Sequence, residues 1–295
     1  MNVIVIGSNG QLGSELMNLA RNRGYTPYGF THKDLDVTYS VTLDALEEYE
    51  PDVIINTAAI HDINYCQEYP SIAWSTNTAI PLVEKANKLN ALYIYISTDY
   101  VFDGNATVYN EYNPTRPLST YGASKLAGEI AALHLAKNGA VCRVSYLFGK
   151  NPCRGKKSGN FVDFIVDALN NEKAINLFNN TCFCATYAPH AADRIYDVAD
   201  YYLRDNASGA INESINGWNV FHCANAGGLS HYTFAERIAD MIGKPLKNAK
   251  PIAHSDKMKP LCSVLHTAVF KSSHVKSIEA GLREYFAEKG IDTVV

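Results

Sequence analysis

The sequence predicts an α/β protein with a doubly wound parallel sheet and a smaller C-terminal lobe. Short apolar runs of strand length recur along the first half, as expected for strands buried on both faces: Met1–Gly7, Asp52–Thr57, Leu92–Ser97 and Val141–Phe148. Amphipathic helical stretches separate them: Leu12–Ala20, Leu43–Tyr49, Ile72–Leu89 and Tyr121–Lys137. A glycine-rich turn directly follows the first strand. This strand–helix alternation is typical of a parallel sheet with helices on both faces.

The glycine-rich turn reads G-S-N-G-Q-L-G. Gly7 allows a sharp turn, Gly10 allows the backbone to approach a pyrophosphate, and Gly13 allows the following helix to pack close to the strand. The helix N-terminus would direct N–H groups and a positive dipole end at the phosphates. The position between a strand and a helix favours a dinucleotide site over an ordinary turn. The predicted cofactor-binding residues of this segment are Gly7, Asn9, Gly10, Gln11, Leu12 and Gly13.

The identity of the nicotinamide cofactor depends on the end of the second strand, predicted at Thr26–Phe30. An NAD site usually has a carboxylate there to bind the ribose 2′-OH. Here Thr31, His32 and Lys33 follow, with no acid at the tip. His32 and Lys33 could bind a 2′-phosphate, which favours NADPH over NADH, or they could be solvated loop residues. Asp36 is placed to accept a hydrogen bond from the adenine amino group.

The strand–helix pattern becomes looser after Gly149, and this predicts the domain organisation. Residues 1–150 form the NAD(P)-binding domain, with later segments, about 191–225, returning to it. Residues 151–190 and 226–295 form the substrate-binding lobe. The later elements predicted are a helix at Phe161–Leu169, a strand at Val220–Ala224, and helices at Thr233–Ile242 and Ser277–Lys289.

Composition excludes several function classes. The chain has 295 residues and a formal net charge of −4, and no lysine/arginine block is long enough to indicate nucleic-acid binding. No apolar run approaches the ~20 residues of a membrane span. A strand beginning at residue 2 leaves no room for a signal peptide, so we expect a cytoplasmic protein. The seven cysteines are scattered and without metal-ligand spacing, so we expect reduced, mostly buried thiols and no metal site.

Three residues predict the chemistry. Tyr121 and Lys125 lie four residues apart, on one face of a predicted helix. An adjacent ammonium group would lower the pKa of the Tyr121 phenol. Ser97 and Thr98 end a central strand, so we expect their hydroxyls to face the same crevice. Thr98, Tyr121 and Lys125 could then surround a carbonyl oxygen and supply the proton that accompanies a hydride transfer.

Several motifs together resemble the extended short-chain dehydrogenase/reductase family, in its dTDP-4-dehydrorhamnose reductase branch. They are G-S-N-G-Q-L-G at 7–13, L-D-V-T at 35–38, N-T-A-A at 56–59, S-T-D-Y-V-F-D-G at 97–104, Y-G-A-S-K at 121–125 and R-V-S-Y-L-F-G at 143–149. The resemblance implies a nucleotide-sugar substrate, Tyr121 as acid, Lys125 as its activator and ribose ligand, and Thr98 as the hydroxyl that orients the carbonyl. We further expect Ala58, Ala59 and Asn77 to contact the cofactor, and Asp99, Tyr146 and Lys259 to contact the substrate.

Tyr100 separates two reaction classes within this family. Related dehydratases have an acid at this position, which elimination requires, so Tyr100 favours reduction of a ketone. The chain departs from the reductase pattern at 178–193, at Tyr146, where tryptophan is usual, and at Lys259. Arg154, Lys156 and Lys157 are either pyrophosphate ligands or solvated loop residues.

A second function remains open from the sequence, namely a non-catalytic nucleotide-binding subunit similar to the regulatory subunit of methionine adenosyltransferase. Association as a homodimer is also left open.

Overall fold

The computed structural model describes residues 1–151, 159–212 and 219–294. Its centre is a six-stranded parallel sheet with the order β2-β1-β3-β4-β5-β9. The strands are β1 (Asn2–Ile6), β2 (Thr26–Phe30), β3 (Val53–Asn56), β4 (Leu92–Thr98), β5 (Gly139–Val144) and β9 (Val220–His222). The predicted doubly wound parallel sheet is therefore confirmed.

Two apolar layers cover the sheet. On one face α1 (Gln11–Ala20) and α7 (Ala188–Leu203) pack together, with Leu16 and Ile195 fully buried between them and the strands. On the other face lie a 3-10 helix (Ser40–Tyr49), α4 (Ile80–Lys88) and α5 (Thr120–His134). The apolar stripes of these helices cover both faces of the strands, which explains why the strand sequences are continuously apolar.

The helix predicted at Ile72–Leu89 is in fact two helices, α3 (Pro70–Thr78) and α4, and a further short helix, α2 (Ile63–Glu68), precedes them. The break falls at Ala79, which has a left-handed φ of 47°. Pro81 is responsible, because it has no N–H to donate to the Asn77 carbonyl four residues back. The Tyr95 hydroxyl donates to that carbonyl instead, at 2.6 Å. The break therefore connects the helical layer to the central strand β4.

The strand predicted at Val141–Phe148 is also interrupted. β5 ends at Val144, and β6 (Leu147–Phe148) starts a separate two-stranded sheet with β8 (Thr186–Tyr187). Tyr146 lies between them with a left-handed φ of 39°. This turn directs the chain out of the main sheet and into the lobe.

The lobe is built from α6 (Phe161–Asn170), β7 (Ile175–Phe178), α8 (His231–Met241), β10 (Ala249–Ile252) and α9 (Ile278–Lys289). β7 and β10 pair in parallel, and Phe148, Ile165, Phe234, Leu282 and Phe286 form its core. The segment 226–295 is not confined to the lobe, however, since Val269 and Phe270 pack into the core under the main sheet. Within the described ranges, no helix is both long and apolar enough to cross a membrane.

Candidate active site

The glycine-rich turn is shaped by close backbone contacts. Gly7 has a φ of +78°, and a Cβ on it would lie 2.6 Å from Thr57 Oγ1. A Cβ on Gly13 would lie 2.2 Å from the Gly7 carbonyl oxygen, so only glycine allows α1 to pack this close to β1. The conformational reasons given for Gly7 and Gly13 from the sequence both hold.

The same turn has unused hydrogen-bonding capacity that suits an anionic ligand. Gly10 is the N-cap residue of α1, and no side chain of the described residues accepts from the first N–H groups of the helix. Gln11 is 8% exposed, and its Nε2 has no hydrogen-bond partner among the described residues. Asn9 is exposed, whereas the side chain of Leu12 lies in the core, so Leu12 can contact a ligand through its backbone only. A helix N-terminus with a buried free amide donor fits a dinucleotide pyrophosphate.

Ala58 and Ala59 continue this edge of the sheet. They follow the carboxyl end of β3, and a Cβ on Gly7 would approach the Ala58 nitrogen at 3.1 Å. The Asn56 side chain orients the same segment, because its Oδ1 accepts from the Ala58 N–H at 3.1 Å. The two alanines therefore border the glycine turn, at the carboxyl ends of the strands where such sheets bind ligands.

The end of β2 differs from the sequence expectation in one respect. His32 and Lys33 are exposed there, as expected, but the tip is not free of acid. Asp34 folds back, and its Oδ2 accepts from both the N–H and the hydroxyl of Thr31, each at 2.7 Å. The carboxylate of Asp34 therefore lies at the same strand end as the side chains of His32 and Lys33. Asp36 lies beyond, where its Oδ1 accepts from the Thr38 N–H at 2.8 Å.

Thr98, Tyr121 and Lys125 converge beside β4. The Thr98 hydroxyl lies close enough to the Tyr121 phenol to affect its pKa. Lys125 is 3% exposed and donates from Nζ to the Ile96 carbonyl at 2.7 Å, with Nζ 4.1 Å from the centre of the Tyr95 ring. The hydroxyl, phenol and amine expected from the sequence thus lie at the carboxyl end of one central strand.

The electrostatics of the pair differ from the expectation. Burial raises the pKa of Tyr121, and although the neighbouring Thr98 hydroxyl acts in the opposite direction, the net shift is upward. Burial also lowers the pKa of Lys125 to about 7, with the nearby Glu129 opposing this shift. The expected lowering of the Tyr121 pKa is therefore not found here, because loss of hydration is the largest influence on both groups.

Ser97 does not face the crevice, contrary to the expectation for both hydroxyls. It donates to Glu129 Oε1 at 2.5 Å on the opposite side of β4, since successive side chains of a strand alternate. Glu129 in turn forms a buried ion pair with Arg143, with Arg143 Nη2 2.7 Å from Glu129 Oε2. This pair lies beneath α5, close enough to Lys125 to affect its pKa.

Gly122 positions Tyr121. A Cβ on Gly122 would lie 2.3 Å from the Tyr100 carbonyl oxygen, so glycine lets the first turn of α5 rest on the end of β4. Ser119 caps this helix by accepting from the Gly122 N–H at 3.2 Å. The rings of Tyr100 and Tyr121 meet edge to face with centroids 5.7 Å apart. The glycine of Y-G-A-S-K is therefore a packing requirement for the catalytic helix.

Asn77, expected to contact the cofactor, is fully buried and committed to the protein. Its Oδ1 accepts from the Ile60 N–H at 2.8 Å, and its Nδ2 donates to the Ile60 carbonyl and to the Ser124 hydroxyl. With both amide hydrogens used, its polar contacts support α5 and the Ile60 segment instead of a ligand.

Asp99 is the centre of a buried network that the sequence did not indicate. It is 4% exposed, and it accepts from Thr98 Oγ1 at 3.1 Å, from Ser145 Oγ at 2.9 Å and from Ser263 Oγ at 2.5 Å. Burial raises the pKa of Asp99, while these hydroxyls lower it in part. Asp99 was expected to contact substrate. Its carboxylate instead holds Thr98 from behind, and Ser263 brings a distant segment to this point.

The lobe contributes an aromatic cluster opposite Tyr121. The His231 ring lies 4.6 Å from Phe183, 5.3 Å from Tyr146 and 5.4 Å from Phe161 between centroids. His231 Nδ1 is 2.8 Å from the Thr181 hydroxyl. Burial lowers the pKa of His231 to about 4, and His254 and Lys259 lower it further, so the ring is neutral at neutral pH.

This cluster includes Tyr146 and borders Lys259, two residues expected to contact substrate. Tyr100 is close enough to both Tyr121 and Tyr146 for each to raise its pKa, so the cluster lies near the start of α5. Lys259 lies 3.5 Å from Asp256 and close to His231 and His254. His231, Phe183 and Ser263 had no distinguishing motif in the sequence. Arg154, Lys156 and Lys157 lie outside the described residues.

Several known proteins are similar to this chain over most of its length. A dTDP-4-dehydrorhamnose reductase from Burkholderia thailandensis is 29% identical over 259 residues, covering 86% of this chain and 83% of the relative. The spore coat polysaccharide biosynthesis protein SpsK of Bacillus subtilis is 26% identical over 296 residues, covering 97% of each chain. Among solved structures, a dTDP-4-dehydrorhamnose reductase from Bacillus anthracis in complex with NADP superposes with a TM-score of 0.82 at 25% identity, over 97% of this chain and 99% of that one.

A dTDP-glucose 4,6-dehydratase from Streptomyces venezuelae shares the fold, with a TM-score of 0.73 at 15% identity and coverage of 98% and 97%. The predicted resemblance to extended short-chain dehydrogenase/reductases that act on sugar nucleotides is confirmed by these findings. The family model described as the RmlD substrate binding domain matches residues 1–289, and the chain belongs to this family.

Proposed function

We infer that this protein is an oxidoreductase that uses NADPH or NADH to reduce the keto group of a nucleotide-linked 4-keto-6-deoxy sugar. The single observation that carries this function is the close approach of Thr98 and Tyr121, with buried Lys125 one helical turn away, at the carboxyl end of a strand in the same sheet as the glycine turn. The family membership and the relatives named as dTDP-4-dehydrorhamnose reductases favour a dTDP-linked sugar and a place in deoxysugar biosynthesis.

The residues of the turn suit a nicotinamide dinucleotide. Gly7 and Gly13 shape the turn, Gly10 allows the backbone to approach the pyrophosphate, and Gln11 Nε2 is a buried donor without a partner among the described residues. When bound, the cofactor supplies a hydride to the carbonyl carbon. Lys125, which lies buried near Tyr121, would bind the nicotinamide ribose.

The proton for the carbonyl oxygen comes from Tyr121. Its raised pKa keeps the phenol protonated at neutral pH, so it holds the proton that an alkoxide oxygen must receive. Thr98 orients the substrate oxygen, and Asp99 holds the Thr98 hydroxyl in place. Tyr100, at the position of the second acid of dehydratases, offers no carboxylate, so removal of a C5 proton and loss of a hydroxyl are not supported.

The lobe supplies the nucleotide-sugar site in this proposal. Tyr146, Phe183 and the neutral His231 form an aromatic wall whose rings are tilted against one another, and Lys259 is the nearby cation for a phosphate. The departures from the usual reductase pattern fall within this wall. The nature of the sugar is therefore the part of the proposal that depends most on the lobe.

The test is a turnover assay with the purified chain alone. We expect oxidation of NADPH or NADH in the presence of a dTDP-4-keto-6-deoxy sugar, with a product two hydrogen masses heavier by mass spectrometry. We also expect no 4-keto-6-deoxy product from dTDP-glucose. Tight cofactor binding without turnover, together with co-purification of a larger enzyme, would instead support the regulatory-subunit alternative.

A further inference from the structure

Four of the six described thiols form two spatial pairs that the sequence does not suggest. Cys142 and Cys223 lie on the neighbouring strands β5 and β9, or directly after them, and both are buried. Cys182 and Cys262 are only half-buried, and they are paired residues of an isolated parallel bridge in the lobe. The near neighbours in sequence, Cys182 and Cys184, do not form the reactive pair described below.

The backbone holds Cys182 and Cys262 side by side. The Cys182 N–H donates to the Leu261 carbonyl, and the Ser263 N–H donates to the Cys182 carbonyl, both at 2.7 Å. Bridged parallel segments lie about 4.8 Å apart, which is within the roughly 4.4–6.8 Å Cα separation that disulfides require. The two thiols lie close enough to affect each other's pKa. A bond between them therefore needs little backbone movement.

The two thiols of this pair are not equivalent. The neighbouring Cys182 thiol lowers the pKa of Cys262, and the Val264 backbone acts in the same direction. In its protonated form Cys262 instead donates to the Thr107 carbonyl at 2.9 Å. The thiolate is the nucleophilic form of cysteine, so Cys262 is the attacking group and Cys182 the resolving group.

We propose that Cys262 and Cys182 form a thiol–disulfide exchange site that reacts with low-molecular-weight disulfides such as glutathione disulfide. The Cys262 thiolate attacks one sulfur, the disulfide bond breaks, and one glutathione leaves as thiolate. Cys182 then loses its proton to solvent and attacks the Cys262 sulfur, and the second glutathione leaves. The two protein thiols lose two electrons, which reduce one glutathione disulfide to two glutathione molecules.

The location gives this bond a structural consequence. Ser263, next to Cys262, donates to Asp99 behind the catalytic Thr98. A Cys182–Cys262 disulfide would join the segment after β7 covalently to the segment that carries Ser263. Closing a long loop restricts the unfolded chain, so we expect the oxidised protein to have a higher melting temperature than the reduced protein.

The buried pair of Cys142 and Cys223 is an internal control, because its two thiols are adjacent but not accessible to solvent. Burial and contact with Cys223 raise the pKa of Cys142, and both residues of this pair are buried away from solvent. If any two adjacent thiols reacted, both pairs would be modified.

The experiment treats the reduced full chain with glutathione disulfide, quenches with acid, and maps the peptides by mass spectrometry. We expect a Cys182–Cys262 disulfide, unmodified Cys142 and Cys223, and reversal by dithiothreitol. Cys182→Ser should retain one glutathione on Cys262, because no resolving thiol remains. Cys262→Ser should form no internal disulfide, and oxidant should not change its melting temperature. Absence of the disulfide in the wild type, or of the adduct on Cys262 in folded Cys182→Ser, would overturn the proposal. These readouts need no sugar substrate, so their failure would leave the proposed reductase activity untouched.

Discussion

The main sheet and the lobe place their functional side chains in different ways. In the sheet, the glycine turn, Ala58 and Thr98 all lie at strand ends, and Tyr121 begins a helix that rests on β4. In the lobe, Tyr146, Phe183 and His231 come from three separate segments, and their rings meet through long-range packing. A site built on strand ends is determined by local sequence, whereas a site built on ring contacts depends on long-range packing.

One connection weakens this distinction. Ser263 belongs to the C-terminal segment, yet it donates to Asp99, which in turn accepts from Thr98. The catalytic end of the sheet is therefore supported in part from outside it. The following predictions test how far the two regions act separately, beginning with the largest effect.

Tyr121→Phe removes the proposed proton donor and retains the ring. Because positioned acid catalysis supplies about 10²–10⁴-fold in rate, turnover should fall by that factor. Cofactor affinity, measured by fluorescence titration, and the melting temperature should change little. Wild-type turnover in this variant would mean that the proton comes from another group, and the sheet would no longer be the sole source of the chemistry.

Lys125→Met should lose both turnover and cofactor affinity, and it should also change the pH dependence of stability. Lys125 has a pKa of about 7 in the folded chain, against about 10.4 when unfolded. Below pH 7 both states are protonated, and the buried charge destabilises the wild type. Between about pH 7 and about pH 10.4 the unfolded state holds a proton on Lys125 that the folded state lacks, so the free energy of unfolding of the wild type rises with pH.

Relative to Lys125→Met, the wild type should therefore gain about 1.4 kcal/mol per pH unit across this window. Urea unfolding of both proteins at several pH values between 7 and 10 measures the difference. A constant difference would show that Lys125 is solvated, which would contradict its placement beneath Tyr121.

Ser263→Ala tests the link between the two regions. Loss of a hydrogen bond to a buried charged group costs about 1.5–3 kcal/mol, so the free energy of unfolding should fall by that amount. If Asp99 positions Thr98, kcat should fall while the KM for NADPH stays constant. Ser230→Ala is the matched control, since Ser230 caps α8 in the lobe. It should lose about 1 kcal/mol of stability without a change in kcat. If Ser263→Ala and Ser230→Ala have equal kcat values, the hydrogen bond from Ser263 to Asp99 does not contribute to catalysis.

Lys33→Ala should have the smallest effect, and it concerns the sheet alone. An exposed charge contact contributes up to about 1 kcal/mol, so affinity for NADPH should fall about fivefold or less while affinity for NADH stays unchanged. Asp34→Asn should act in the opposite direction, because it removes a negative charge from the same tip. Titration of both variants with each cofactor provides the measurement, and equal changes for the two cofactors would exclude recognition of the 2′-phosphate.

The functional residues of the sheet were predictable because each lies in a short motif with a local physical requirement. Gly7 and Gly13 were identified from the backbone contacts that a dinucleotide turn demands, and the structure has these contacts. The split of the helix at Ala79 was missed, although Pro81 was visible, because helical periodicity on both sides outweighed one proline. Ser263 could not be identified, since a serine acquires its role from a carboxylate far away in sequence.

The sequence by itself determined the parallel sheet, the dinucleotide turn and the order of Thr98, Tyr121 and Lys125. These follow from periodicity and spacing, which act over a few residues. Only the tertiary structure decided the shifted pKa values of Tyr121 and Lys125, because hydration depends on what covers a group and not on its neighbours in the chain. The tertiary structure likewise decided that Asp99 supports Thr98 from behind and that Cys182 meets Cys262, since both contacts require distant segments to be packed together.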